Sequence, residues 1–250
     1  MNRVILALLL AFPFTAFSQD VPALLHQASQ LEASFREEEA LQKYQEALRL
    51  QPEQVTALCK CSDLSCRIGN RQTNKEKKID YFRKGYGYAQ TALRLDSTNS
   101  EVNIVMAFSL ARMALVQSGK EKVAAATTIK HYAENAIKYD PLNYKGYHIL
   151  GRWHYEVSGL NIVERTLARW FFGALPEASL QESIGYYEKS RRLRPDFMLN
   201  YFELARAYHR EGKNEEAVRM LRQMDHLKDE MYDDRQVRKE GQQLLHRLEN

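Results

Sequence analysis

Cysteine is scarce: three in 250 residues cannot build a disulfide framework. Glycine and proline are sparse too, at 11 and 6, which excludes collagen-like and low-complexity chains. Neither sign of charge dominates, since 36 Lys and Arg stand against 32 Asp and Glu for a formal +4. So mild an excess leaves no electrostatic footprint for nucleic acid. Beyond residue 18 no apolar run approaches the roughly 20 residues of a membrane-spanning helix. Catalytic signatures are missing as well. The seven histidines are scattered, with no H-E-x-x-H, no G-x-S-x-G and no phosphate-loop pattern. His148 and His154 lie six apart on one predicted helix, a poor ligand pair. The sequence therefore predicts a non-catalytic protein with no cofactor and no metal site. What remains, 44% hydrophobic and 27% charged residues, is globular composition.

The first 18 residues, MNRVILALLLAFPFTAFS, differ from the rest. Arg3 supplies a basic start, Val4 to Phe17 an apolar stretch, and Ala16-Phe17-Ser18 a small-x-small site. This predicts a signal peptide cleaved near Ser18, and an exported chain, periplasmic or secreted. A membrane anchor is the alternative, disfavoured by the shortness of the run. Cys59, Cys61 and Cys66 share one predicted helix, and their C-x-C-x4-C spacing matches no common zinc site. They read as small buried helix residues, with a redox or metal role as the other reading.

Internal repetition organises the remainder. Four segments end alike: Tyr44-x2-Ala47-Leu48-x-Leu50-x-Pro52, Ala92-Leu93-x-Leu95-Asp96, Ala136-Ile137-x-Tyr139-Asp140-Pro141 and Tyr187-x2-Ser190-x2-Leu193-x-Pro195. Three begin alike: Leu110-Ala111-Arg112, Leu150-Gly151-Arg152 and Leu204-Ala205-Arg206. Each unit is thus a helix bearing a small residue at a close crossing, then a second helix stopped by proline or a polar turn. This is the tetratricopeptide pattern, in which a helix pair buries its apolar face by stacking on its neighbours. The predicted fold is all-α, a tetratricopeptide-type α-solenoid in a single domain, 19–250. Its five repeats cover about 21–52, 55–97, 100–141, 144–195 and 198–230, and a C-terminal cap covers 233–248. The middle repeats exceed the usual 34 residues. The surplus is expected between paired helices, near 70–80, 119–128 and 160–179.

The segment Gly159–Pro176 carries the sharpest resemblance. Leu150-Gly151-x-Trp153, Glu164-Arg165, Ala168, Phe172-Gly173, Pro176, Ser179 and Glu182 resemble the regulator of microtubule dynamics family. The resemblance is strongest over 144–224 and rests on the repeats over 24–143. It implies a tetratricopeptide-like helical protein without catalysis. It also implies association with microtubules or organelle membrane contacts in animals, and phospholipid binding in part of the family. A signal peptide would take this chain away from cytosolic microtubules, so the fold carries over further than the microtubule role.

Two surfaces are candidate sites. In the repeat frame Arg112, Arg152 and Arg206 are equivalent and face the concave groove. His148 and Tyr155 join them from the fourth repeat, and Phe202, His209 and Arg210 from the fifth. A guanidinium row beside aromatics suits carboxylates or phosphates. The expected partner is a protein or peptide with an acidic or carboxylate feature, or an anionic lipid; otherwise each arginine pairs with an acid such as Asp63, Glu101 or Glu156. The second surface is the amphipathic segment 162–175, where Arg165, Arg169, Trp170, Phe171 and Phe172 offer a membrane or partner contact. Packing of these aromatics onto neighbouring repeats is the alternative. A scaffold for protein–protein contact is the leading functional expectation, with lipid binding and microtubule association behind it.

Overall fold

The computed structural model describes residues 20–117, 119–161, 165, 166, 170 and 177–250. The apolar leader, and most of the 162–175 segment with Arg169, Phe171 and Phe172, lie outside the described residues. Among those described, eleven α-helices and no strand form. We label them α1 (Val21–Ala33), α2 (Glu37–Leu50), α3 (Val55–Arg71), α4 (Lys75–Leu95), α5 (Ser100–Ala114), α6 (Gly119–Tyr139), α7 (Tyr144–Ser158), α8 (Leu180–Leu193), α9 (Met198–Arg210), α10 (Asn214–Asp225) and α11 (Asp234–Glu249).

The helices start where short polar side chains can take up unpaired amides. Asp20, Asn74, Asn99, Asn143 and Ser179 each accept a hydrogen bond from the first turn that follows. They stop where the sequence turns polar or reaches proline: α2, α6 and α8 end two residues before Pro52, Pro141 and Pro195. The turns of the first and last pairs share one geometry. Arg36 N–H donates to the Leu31 carbonyl, and Lys213 N–H to that of Tyr208. The last pair fills the left-handed position with Gly212 at φ 80°, whereas the first uses Phe35 at φ 60°, a conformation costly for a bulky side chain.

Consecutive helices pack as antiparallel pairs, and the first members α3, α5, α7 and α9 also neighbour one another in order. The core is a string of clusters rather than one centre. Leu24, Ala28, Ala40, Tyr44 and Leu64 join the first two pairs. Leu58, Ala92, Val102 and Met106 carry it onward, then Ala107, Ala133 and Leu150. Tyr187, Met198, Leu204, Leu221, Met224 and Leu244 complete it, with α11 packed on α9 and α10. The small residues at the crossings have a measurable reason: a methyl group on Gly151 would lie 2.7 Å from the ring of the fully buried Tyr187.

In the second and third repeats the surplus residues are not where the sequence placed them, whereas in the fourth α7 ends at Ser158 and α8 starts at Leu180, which leaves the surplus between the paired helices as expected. Only Gln72–Asn74 separate α3 from α4, and 119–128 is helical. The extra length extends the second helices instead: α4 and α6 each run 21 residues. Proline and glycine are absent from the first turn of α4, and proline from that of α6, so nothing stops either helix from growing backwards over its partner.

Candidate functional site

The first helices present a file of charged side chains, built from α3, α5, α7 and α9 in turn. At one end Arg67 and Arg71 of α3 converge on Glu37, whose carboxylate is 1% exposed. Arg71 Nη2 donates to Glu37 at 2.6 Å. Arg67 also approaches Asp63 and Glu32, and Lys60 bonds both oxygens of Glu32 at 3.0 Å. Burial pushes the Glu37 carboxyl up, and the two guanidiniums oppose that shift. At the other end Glu203 of α9, also nearly sealed at 4% exposure, receives Arg152 of α7 and Arg206 of α9. Arg152 bonds Glu156 on its own helix as well, at 2.8 Å.

Between these two ends stands Arg112 on α5. Its Nη1 donates to Asn70 Oδ1 at 3.2 Å, and its guanidinium lies 4.8 Å from the Phe108 ring centre. Its Nε is buried with no hydrogen-bond partner. No carboxylate lies within ion-pair distance of it among the described residues. Burial lowers its pKa from the usual value, with the like charge of Arg152 adding to that and Asp233 and Asp63 opposing it. A guanidinium remains protonated in proteins, so this cation sits in the middle of the file with its charge uncompensated at contact range.

The structure brings Arg112, Arg152 and Arg206 onto one face but gives them different partners. Arg152 and Arg206 share Glu203, an acid that sequence reasoning missed because it looked like one more helix charge. Of the expected acids only Glu156 pairs with one of the three; Asp63 holds Arg67 and Glu101 holds Lys145. Arg206 lies over Tyr155 and Phe202, at 5.0 and 5.8 Å from their centres. Arg210 covers the same Tyr155 ring at 4.9 Å and donates to the Tyr155 carbonyl near the end of α7, where cations suit the helix dipole. His209 bonds Asn214 across the α9–α10 turn.

His148 does not act as a groove donor. Its Nδ1 lies 3.0 Å from Asn200 Oδ1, and its ring packs against Tyr187 and Phe197. Asn200 spends its amide hydrogen on the Tyr187 carbonyl, so its oxygen accepts from His148. Burial pushes the imidazole pKa down to about 4, and the residue is a neutral joint between α7 and α9. The cysteines match the buried reading: all three are free, and burial pushes each thiol up to about 12. Among the described residues no cluster of metal-ligating side chains occurs, and no helix is long and apolar enough to cross a membrane. Of the second surface, Trp170 is 84% exposed, and Arg165 donates to the carbonyls of Leu160 and Ser158.

Residues 24–249 match the family of regulator of microtubule dynamics proteins 1-3. The chain belongs to this family. Its similarity to regulator of microtubule dynamics protein 1 of Bos taurus is 25% identity over 69% of this chain and 55% of that protein. For protein 3 of Mus musculus the figures are 25% identity, 67% and 36%, and for protein 3 of Rattus norvegicus 24%, 90% and 49%. The chain thus spans about a third to a little over half the length of these curated relatives. A thermophilic TPR protein of Thermus thermophilus superposes with a TM-score of 0.67 at 14% identity, over 90% of this chain and 99% of that one. The fold is therefore the tetratricopeptide-like α-solenoid, in which stacked helix pairs build one extended surface.

Proposed function

We propose that this regulator of microtubule dynamics family member is an exported, non-catalytic scaffold. In this reading it binds an acidic segment of a partner protein along the face shared by its first helices. One observation carries it: Arg112, buried at Nε and without a carboxylate at contact range, between two arginine clusters that have theirs. A half-buried cation whose Nε is sealed without a partner costs stability. A carboxylate or C-terminal carboxyl group supplied by a client would remove that cost, and the arginine fork suits it. Export rests on the basic and apolar leader of residues 1–18. A second reading, lipid or membrane contact through 162–175, draws on the exposure of Trp170. The microtubule role in the relatives' names would require a cytosolic chain.

The test is affinity capture from envelope extract with residues 19–250, beside the variant with Arg112, Arg152 and Arg206 all changed to Glu. Bound proteins and lipids are identified by mass spectrometry. A protein lost selectively with the variant supports the scaffold. Lipid retained by both baits moves the function to the 162–175 segment, and capture of nothing specific by either refutes the arginine face. Fractionation with N-terminal sequencing tests export, which an intact leader in the cytosol would refute.

A further inference from the structure

Arg71, Arg112 and Arg206 each lie over an aromatic ring, and for Arg71 the ring comes from the far end of the chain. Arg71 closes α3, yet its guanidinium lies 4.3 Å from the ring centre of Tyr232. Its Nη1 donates to Asp233 Oδ1 at 3.0 Å, 162 residues later. Asp233 occupies the N-cap position of α11 but makes no capping hydrogen bond. An aspartate there ordinarily accepts from its own first turn; this one turns its carboxylate to Arg71 instead. The turn that presents it is held by its own contacts, because the buried Asp234 accepts from the amides of Glu230 and Met231. The joint itself is made of side chains, since α11 packs on α9 and α10 and not on α3. It also stands beside the proposed site: Asn70, the neighbour of Arg71, is the residue that Arg112 bonds, and Asp233 is among the acids whose field reaches Arg112.

We infer that Tyr232-Asp233 is a tethered copy of the ligand, clasped over the cationic face, and that the natural client carries an aromatic residue followed by an acid. The inference rests on the scaffold reading and gives that site its recognition chemistry. The ring lies against the Arg71 guanidinium while the acid takes one side of its fork. Glu37 holds the other side and keeps the guanidinium oriented when the clasp lifts. Tyr232 is half exposed and the Asp233 side chain is partly open to solvent, so a client can replace them stepwise. The tethered copy competes at high local concentration, which makes a free chain bind clients more weakly than an opened one.

The experiment uses the full chain and a labelled peptide copying residues 226–236. The opened chain carries Asp233→Asn with Tyr232→Ala, substitutions at exposed side chains that spare the Asp234 contacts. The peptide is expected to bind the opened chain about tenfold more tightly than the unaltered one, the worth of one partly exposed ion pair and one cation–π contact. Binding should vanish when the peptide's own Tyr and Asp are changed to Ala and Asn, and when Arg71→Gln is added to the opened chain. Hydrogen exchange at 229–236 in the unaltered chain should quicken when the peptide is added. Equal affinity for both chains, no binding to the opened chain, or binding indifferent to Arg71→Gln overturns the clasp. So does quickened exchange caused by phosphatidylcholine–phosphatidylserine vesicles but not by the peptide. The two readings fail separately. If Arg112→Gln abolishes client capture while Asp233→Asn changes nothing, the scaffold stands and the clasp falls. If the peptide obeys Asp233 and Arg71 but ignores Arg112→Gln, the clasp stands and the role given to Arg112 falls.

Discussion

Replacing Glu203 by Gln separates structure from binding at the arginine face. Glu203 is 4% exposed, while its partners Arg152 and Arg206 are 45% and 32% exposed. Breaking a fully buried ion pair costs about 3–5 kcal/mol, and an exposed pair is worth about 0–1. A sealed acid holding two half-exposed cations falls between, at about 2 kcal/mol. For a chain of this size that is a Tm lower by roughly 4–8 °C. Gln keeps the size and one acceptor, so the loss reports charge rather than a cavity. Thermal melts followed by circular dichroism measure it, and a double-mutant cycle with Arg152→Met assigns it. In the Arg152→Met background the penalty should shrink by about half, leaving the Arg206 share. The same change uncovers two cations, so affinity for an acidic client should rise. A Tm that does not move, or an equal loss with and without Arg152, would refute the reasoning.

Arg112→Met should leave stability unchanged or raise it by up to about 1 kcal/mol, because it removes a half-buried charge with no carboxylate at contact range, and it should abolish client capture; a clear loss of stability in urea denaturation would show the charge to be compensated. The His148 imidazole is held down near 4 against an ordinary 6.5, so the unfolded chain takes up its proton first as pH falls. The stability it contributes is complete well above 6.5 and drains away toward 4, by about 2–3 kcal/mol at pH 4.5. Urea midpoints compared with His148→Asn, which cannot titrate, should show a flatter acid limb in the variant; identical limbs would refute the assignment. Gly151→Ala should cost about 1–3 kcal/mol through overpacking on Tyr187, and an unchanged denaturation midpoint would mean that α7 and α8 separate freely.

The repeat architecture was legible because it is written locally. Pro52, Pro141 and Pro195 follow the helices that stop before them, Asn74, Asn99 and Asn143 start helices, and Ala47, Ala92 and Gly151 mark where helices approach. The surplus residues of the second and third repeats were misplaced, though those of the fourth were not, because helix length depends on what the partner can cover, which the spacing of stop signals does not reveal. The arginine face was legible only in part. Equivalent repeat positions put Arg112, Arg152 and Arg206 on one side, but whether each is paired depends on residues far along the chain. Glu203 lies 51 residues from Arg152 and Glu37 lies 34 from Arg71. His148 was expected to line the groove because the repeat frame cannot show that Asn200, Tyr187 and Phe197 enclose it. Helix starts, stops and apolar faces are set by neighbours within one or two turns, so the sequence by itself determined the solenoid and its family. Charge pairing, and the meeting of Arg71 with Tyr232 and Asp233, join residues far apart in the chain and depend on how the pairs stack. Only the tertiary structure decided that Arg112 alone of the three stands without a carboxylate beside it.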